Sequence, residues 1–363
     1  MDNFLDKVNK NIKIMKSYNI KTVFTISTTT KQELLPYLTP IRKNNDFSVC
    51  GCVIFDVNIL SLLIKNIDGE VDFILVDSEK KIPLKHVSNN KNYIEESMSI
   101  NTIDKIDTSN FSKYCFLNIK KSKVFEFKPN DLTVNAAWLF ISLRLLLLSE
   151  KKISILGSGN IGSKLALKLV ESGANVHIYR RDSLKGYSIE RGLNFIKSKN
   201  TIARIHYHED ILQTSFQSDI LIGSTDGVPI ITKDIIKSVK KDCIIIDLGK
   251  NNLTKEAITF SQKNNIEIWR TDVSAALEGY IYEVLRLNDI FKNSYGKRNL
   301  EYCSIVAGGY FGSSGDIVVD NIITPSYVIG VANGDGTFKD NLEDHDKENI
   351  LKLENEFIFS LGD

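Results

Sequence analysis

The stretch from Lys152 to Asp182 constrains the fold more than any other part of the sequence. It begins with an apolar strand pattern, passes through glycines at G-x-G-x-x-G spacing, continues as a helix pattern and ends in a second strand pattern. The helix pattern consists of apolar residues at positions i, i+1, i+4 and i+5, namely Leu165, Ala166, Leu169 and Val170. This order of elements predicts the first half of a doubly wound α/β domain that binds a dinucleotide.

Each glycine of the motif has its own predicted role. Gly157 allows a tight turn, Gly159 lets the backbone approach the pyrophosphate, and Gly162 lets the helix pack close to the strand. The free N–H groups at the start of the helix then bind the phosphate charge. The residues predicted to hold the cofactor here are Gly157, Ser158, Gly159, Asn160, Ile161 and Gly162.

The end of the second strand indicates which dinucleotide binds. An NAD site usually has an acidic residue there for the ribose hydroxyls, whereas a nearby arginine accommodates the 2′-phosphate of NADP. This chain has Arg180 and Arg181, and a guanidinium can bind phosphate through two parallel hydrogen bonds. The sequence therefore predicts NADP(H). The alternative is that both arginines are solvated and that Asp182 binds the ribose.

Composition limits the classes of partner. The chain has 363 residues, with 46 basic and 45 acidic side chains, so it lacks the strong positive charge of proteins that bind nucleic acid or membrane surfaces. The apolar run from Ala136 is interrupted by Arg144 and is too short to span a membrane. No signal peptide is evident at the start, which favours the cytoplasm. Leucines between 132 and 148 are compatible with a homodimer interface or with an internal core.

Cysteine and histidine patterns do not predict a metal site. Cys50 and Cys52 would share one face of a strand, but the five cysteines have no histidine-rich cluster nearby and are best interpreted as small buried apolar residues. His206 and His208 would also share a strand face and are a candidate metal pair, although a solvated face is the simpler interpretation.

The alternation of strand and helix patterns predicts four parts. Residues 1–130 form an α/β substrate domain, 131–149 a connecting helix, 150–273 an NADP-binding Rossmann domain, and 274–363 helices and glycine-rich loops that pack back on the cleft. The predicted strands of the first part are Lys21–Ile26, Val53–Phe55, Val71–Val76 and Tyr114–Ile119. Those of the third part, after the glycine motif, are Arg204–Tyr207, Asp219–Ile222, Cys243–Asp247 and Glu267–Trp269.

Loops that leave the carboxyl ends of these strands should line the cofactor crevice. After the fourth strand, Ser224 and Thr225 offer hydroxyl groups near the nicotinamide ribose, although ordinary turn chemistry explains them equally well. After the fifth strand, Gly249 and Lys250 reach the same crevice. We predict Ser224, Thr225 and Gly249 as cofactor-binding residues.

The segments 218–229 and 243–251 resemble the corresponding parts of methylenetetrahydrofolate dehydrogenases, shikimate dehydrogenases and glutamyl-tRNA reductases. The resemblance implies an N-terminal substrate domain, a connecting helix and a C-terminal Rossmann domain. Asn130-Asp131, before the connecting helix, is similar to the Asn-Thr-Asp element of shikimate dehydrogenases, whose Asp acts with a lysine on a substrate hydroxyl. The N-terminal lysine motif of that family and the Tyr-x-x-x-Lys of the folate enzymes have no match, so neither substrate is implied.

These patterns together predict an NADPH-dependent oxidoreductase that acts on a small polar metabolite in an interdomain cleft. Hydride would pass between the nicotinamide and a carbonyl, imine or alcohol carbon, and a side chain would move the accompanying proton. Asp131 and Lys250 are the candidates for that proton. Two alternatives remain: a redox-neutral lyase or cyclodeaminase with tightly bound nucleotide, and a non-catalytic NADP-binding sensor.

Overall fold

The structure is a computed structural model that describes residues 2–28, 35–55, 57–79 and 111–358. It divides into two compact units, Met1–Ala276 and Leu277–Asp363. The first unit contains two sheets and the second contains one. None of the helices in the described ranges is long and apolar enough to cross a membrane.

The N-terminal sheet is built on four parallel strands in the order β4-β1-β5-β6. Two short strands, β2 and β3, pair antiparallel with β4. The strands are β1 (Lys21–Ser27), β2 (Tyr37–Leu38), β3 (Arg42–Lys43), β4 (Phe47–Val53), β5 (Phe73–Asp77) and β6 (Lys123–Phe127). The helices are α1 (Asp2–Lys16), α2 (Val57–Ile67) and α3 (Phe111–Asn118).

The strand predicted at Tyr114–Ile119 is wrong, because this segment lies in helix α3 and the residue after it. Phe111, Cys115 and Ile119 are all buried, and their spacing of four residues is helical. A short apolar run fits a helix or a strand equally well, so it did not identify the element by itself. The prediction at Val53–Phe55 identified only the end of β4, which begins at Phe47.

The connecting helix is α4 (Pro129–Arg144). Proline suits its first turn, where a backbone N–H would lack a helical partner. The helix starts two residues before the predicted start. It ends five residues before the predicted end, because the backbone at Leu145 is extended. Asp131 therefore lies in the first turn of α4 and not ahead of the helix.

The second sheet has six parallel strands in the order β12-β11-β10-β7-β8-β9. Counted from β7, this is the 3-2-1-4-5-6 order of the Rossmann fold. The strands are β7 (Lys152–Leu156), β8 (Asn175–Tyr179), β9 (Ile205–His208), β10 (Ile220–Gly223), β11 (Ile244–Asp247) and β12 (Ile268–Arg270). The helices between them are α5 (Asn160–Glu171), α6 (Ser183–Ile196), α7 (Ile211–Ser215), α8 (Lys233–Ser238) and α9 (Lys255–Lys263).

Both faces of this sheet are buried, as a doubly wound sheet requires. Ile155, Ile222 and Ile246 belong to one apolar cluster, whereas Leu221 and Ile245, their chain neighbours, belong to another. The alternation follows from the two-residue period of a strand. The structure thus confirms the predicted fold class, an N-terminal α/β sheet followed by a doubly wound parallel sheet.

The second unit contains a four-stranded mixed sheet in the order β13-β14-β15-β16. Its strands are β13 (Gly296–Asn299), β14 (Ser304–Ala307), β15 (Ile317–Val319) and β16 (Val328–Val331). Helix α10 (Ser274–Asn293) precedes this sheet, and α11 (Asp344–Leu353) follows it and continues as a π-helix (Glu354–Ile358). The sequence pattern predicted helices and glycine-rich loops here and did not predict a four-stranded sheet.

Candidate functional site

The candidate site lies where the strand order of the second sheet reverses. Strand β7 is flanked by β8 on one side and β10 on the other, and ligands of such sheets bind beyond the carboxyl ends of the strands at this point. The loops after β7 and β10 are in direct contact there. A Cβ atom on Gly157 would lie 2.4 Å from the carbonyl oxygen of Ser224, and Gly157 has a φ of +112°. Only glycine fits this position without strain.

The glycine turn has the backbone geometry that the motif predicts. The N–H groups of Gly157 and Ser158 donate to the Tyr179 carbonyl at 3.0 and 3.2 Å, which joins the turn to the end of β8. A Cβ atom on Gly162 would lie 2.2 Å from the Gly157 carbonyl oxygen, so α5 can approach the turn only because this residue is glycine.

Gly159 differs from the other two glycines. A Cβ atom there would meet no atom within 4 Å, and its φ of −84° is open to any residue. Gly159 is also the N-cap of α5, and no side chain caps this helix. The start of α5, with Asn160 and Ile161 in its first turn, therefore has open space beside Gly159 and no side-chain cap.

Two buried polar atoms next to the turn have no hydrogen-bond partner among the described residues. One is Ser158 Oγ and the other is Arg180 Nε. Arg180 bends back over the turn, since its Nη1 donates to the Ser158 carbonyl at 2.5 Å and its own carbonyl accepts from the Tyr207 hydroxyl at 3.0 Å. Buried polar groups are normally paired, so these two atoms are consistent with a ligand at this edge.

The two residues after Arg180 have different environments. Arg181 is exposed. Asp182 is the N-cap of α6, and its carboxylate accepts from the Lys185 backbone N–H at 3.1 Å. That hydrogen bond holds the pKa of Asp182 below its usual value. The carboxylate considered as an alternative ribose ligand is thus engaged by its own helix.

The loops after β10 and β11 are joined by a side chain that the sequence did not single out. Asn252 is fully buried, donates to Asp247 Oδ1 at 2.6 Å and accepts from the Thr225 backbone N–H at 2.9 Å. The Thr225 hydroxyl also contacts Asn252 Oδ1 and bonds the Val228 carbonyl at 2.9 Å. A Cβ atom on Gly249 would lie 2.0 Å from the Thr225 carbonyl, so Gly249 permits close contact between the loops.

Lys250 lies on an exposed part of the same loop. It and Asn251 both have left-handed backbones, with φ values of +60° and +61°. Such residues cost roughly 1–2 kcal/mol each and persist where the surroundings hold them. The residue that follows them, Asn252, is fully buried.

The structure pairs Asp131, one of the two candidates for the proton, with a lysine that the sequence did not single out. Asp131 forms an ion pair with Lys164 of α5, and both side chains are partly exposed. Within the described part of the chain, no hydrogen bond or ion pair joins Asp131 to Lys250. Lys164 lies two residues after Gly162, but its distance from Asp131 in the sequence gave no signal of this contact.

The start of α4 connects the carboxyl edge of the first sheet to the glycine turn. Asp77 is buried at the end of β5 and accepts from the Glu79 backbone N–H at 2.8 Å. Glu79 in turn accepts from the Asn130 backbone N–H at 3.3 Å, and the Asn130 side chain reaches Asn160 of α5 at 3.4 Å. Polar side chains from the end of β5, the residues after it and the start of α5 therefore lie around the start of α4, which is the candidate substrate side of the site.

No protein-family model and no curated protein matches this sequence. Among solved structures, the chain is similar to a dipicolinate synthase chain from Bacillus halodurans, with 12% identity, 74% of this chain and 97% of that chain covered, and a TM-score of 0.34. Glutamyl-tRNA reductase from Methanopyrus kandleri matches at 16% identity over 44% and 41% of the two chains, with a TM-score of 0.33.

A shikimate dehydrogenase solved in complex with NADP⁺ also matches, at 14% identity over 70% of this chain and 85% of that chain, with a TM-score of 0.37. Two of the protein types that the sequence resemblance named are thus among the similar structures. At such identities and TM-scores the likeness concerns the fold alone, and it says nothing of what this chain binds or does.

Proposed function

We propose that this chain is an NADPH-dependent oxidoreductase, which transfers a hydride to or from a small polar metabolite with a carbonyl, imine or alcohol group. The observation that supports this most is the uncapped start of α5 beside the open Gly159, at the point where the strand order reverses. A pyrophosphate in that space would accept hydrogen bonds from the helix N–H groups and benefit from the helix dipole. The nicotinamide supplies the hydride when the cofactor is bound.

In this proposal the two arginines have different roles. Arg180 is held against the Ser158 carbonyl, so it positions the glycine turn relative to the end of β8. Arg181 is exposed and makes no such contact within the described residues, so it binds the 2′-phosphate of NADPH. Because the Asp182 carboxylate caps α6, the ribose hydroxyls of NADH would gain little from it.

For the proton that accompanies the hydride we propose the Asp131–Lys164 pair. Its lysine lies on α5, the helix that starts at the glycine turn. A lysine beside a carboxylate can donate a proton to a developing alkoxide, and the carboxylate then orients the amine. Lys250 remains the second candidate, since it follows β11 at the same edge of the sheet. Replacing each lysine by Met, with binding of NADPH measured beside turnover, would separate loss of chemistry from loss of cofactor.

The experiment that tests the cofactor assignment is calorimetry with NADPH and NADH on the wild type, Arg181→Ala and Arg180→Ala. We expect Arg181→Ala to weaken NADPH about tenfold or more and leave NADH unchanged, since one charge-assisted pair to phosphate is lost. Arg180→Ala should weaken both cofactors. Arg191→Ala, an exposed arginine of α6, is the matched control.

Equal affinity for both cofactors that does not respond to either arginine would contradict the NADPH assignment. Tight NADPH binding without net oxidation by any carbonyl or imine metabolite would favour a redox-neutral enzyme that keeps its nucleotide. Binding that changes the oligomeric state without any turnover would favour a sensor.

The homodimer is also a proposal, and the leucines of α4 and the residues after it support it. Leu132 and Ile141 are buried, but four others remain outside the core. These are Leu139, Leu143, Leu146 and Leu147, with exposed fractions of 40%, 73%, 98% and 66%. Large exposed apolar patches mark interaction sites, and we propose that these four leucines form one. Leu143→Glu with Leu146→Glu should shift a dimer to monomer in light scattering, whereas a monomeric wild type would contradict it.

A further inference from the structure

Three histidines lie side by side on one face of the second sheet. His177 is on β8, and His206 and His208 are on β9. The parallel register aligns His177 with His206 and Tyr179 with His208. Alternation along each strand therefore directs the three imidazoles to the same face, and all three are half-buried. The sequence indicated only the pair on β9, because the third member comes from the neighbouring strand.

Two of the imidazoles are close enough to share a ligand, and the third packs beside them. His177 Nδ1 and His208 Nε2 are 2.7 Å apart, and their ring planes differ by 2°. The ring of His206 also lies beside that of His177, with its centroid 5.2 Å away and its plane tilted by 35°. Two nitrogens thus already face each other, and a third imidazole is in contact with the first ring.

We propose that His177, His208 and His206 form a binding site for a divalent transition-metal cation of the Zn²⁺, Ni²⁺ or Cu²⁺ class. Imidazole nitrogen is a preferred ligand of these cations. At a metal–nitrogen distance of about 2.05 Å, two tetrahedral ligands are about 3.3 Å apart, so the facing nitrogens must separate by roughly 0.6 Å. Side-chain rotation supplies a movement of that size, and rotation of the His206 ring brings in the third nitrogen.

The proton balance of this step is neutral. In the metal-free pair, one of the two facing nitrogens donates a hydrogen to the other. When the metal binds, that hydrogen moves to the remote nitrogen of the same ring, and both facing nitrogens become electron-pair donors. No proton has to leave the site, provided that the imidazoles are neutral beforehand.

The surroundings of His177 and His208 disfavour their charged forms. Burial, followed by Lys152 and the other two histidines, lowers the pKa of His177 to about 3. Burial and Lys152 also lower the pKa of His208, while Glu190 and Asp210 act in the opposite direction. The Lys152 ammonium group opposes a bound cation, but it is engaged by the Phe216 carbonyl at 2.6 Å.

A metal at this position would join β9, a strand of only four residues, to β8. Because the ligands come together only in the folded sheet, binding would stabilise the fold by mass action. The proposed role is structural, and it does not depend on the cofactor or the reaction proposed above.

The test uses the untagged full-length chain, stripped with a chelator and titrated with Zn²⁺ and Ni²⁺ by calorimetry, with Co²⁺ absorption as the report on coordination. The variants are His208→Ala, His206→Ala and the conservative His177→Asn. His345→Ala is the matched control, since His345, Glu343 and Asp346 have three potential ligand atoms within 4.8 Å of one another. His86→Ala covers the one histidine outside those ranges.

We expect one metal per chain, a higher melting temperature with metal, and at least about tenfold weaker binding in His208→Ala and in His206→Ala. His345→Ala and His86→Ala should bind as the wild type does. No binding up to millimolar metal would overturn the proposal. So would binding that persists in the β9 variants, and loss of binding in His345→Ala would place the metal at α11 instead.

Discussion

Three loops, after β7, β10 and β11, meet at the same edge of one sheet. They differ in whether their buried polar groups are hydrogen-bonded. The glycine turn leaves the α5 start uncapped and two buried polar atoms, Ser158 Oγ and Arg180 Nε, without a partner among the described residues. The other two loops satisfy each other through Asn252, which bonds both Thr225 and Asp247. Since unpaired buried groups are costly, the first loop is the one we propose as the ligand site, whereas the other two stabilise each other.

The largest expected effect separates two glycines of the same turn. Gly162→Ala should lower the free energy of unfolding by roughly 3 kcal/mol or more, because its Cβ would lie 2.2 Å from a backbone oxygen. Gly159→Ala, with open space around its Cβ, should cost no more than about 1 kcal/mol, the range for an N-cap change. Urea denaturation measures both. Equal losses of unfolding free energy in the two variants would show that both glycines are needed for packing, and that the space beside Gly159 is not reserved for a ligand.

Asn252→Ala tests whether the second pair of loops is held by one side chain. It leaves the Thr225 N–H and the Asp247 carboxylate without their partner, so we expect a loss of about 2–3 kcal/mol in the free energy of unfolding. Asn251→Gly is the matched control. It relieves a left-handed backbone at φ +61° and should leave stability unchanged or raise it by up to about 1 kcal/mol. A small loss of unfolding free energy in Asn252→Ala would mean that the two loops stabilise each other without this side chain.

These two regions also differ in how far the sequence could predict them. The glycine turn is a local pattern, so Gly157, Gly159 and Gly162 were predicted with their separate roles, and the fold class followed from the strands around them. Asn252 and Lys164 contribute through residues 27 and 33 positions away, as the Thr225 and Asp131 contacts show. Such contacts depend on how loops and helices meet in space, and no spacing rule within a segment contains that information.

Helix α3 shows a second limit of sequence reasoning. The segment around Cys115 is short and apolar, and it fits both the helical period of 3.6 residues and the strand period of two. Only the sheet against which it packs decides which residues are buried. The start of α4 was predicted at residue 131, whereas the helix begins at Pro129. A proline marks the probable end of the preceding element, but it does not fix where the next element starts.

Gly159→Ala also tests whether the glycine turn binds the cofactor. Its added methyl group would enter the space proposed for the pyrophosphate, so we expect NADPH and NADH affinity to fall at least about tenfold. Gly192→Ala is the control, since a Cβ at this helical glycine also meets nothing within 4 Å. Calorimetry on both variants gives the answer. Undiminished cofactor affinity in Gly159→Ala would exclude the pyrophosphate from this position.

The smallest expected effect concerns two neighbouring hydroxyls that the sequence assigned to the cofactor together. The Thr225 hydroxyl is held between the Val228 carbonyl and Asn252, so Thr225→Val should cost about 1 kcal/mol of stability and leave NADPH affinity unchanged. The Ser224 backbone carbonyl lies against Gly157 at the meeting point of the two loops, and we propose that the Ser224 hydroxyl binds the cofactor. Ser224→Ala should then leave stability unchanged and weaken NADPH binding by about two- to fivefold. Urea denaturation and calorimetry on the pair measure both quantities. The reverse result would place Thr225 among the ligand groups, and the loop after β10 would then resemble the glycine turn in leaving a polar group for the cofactor.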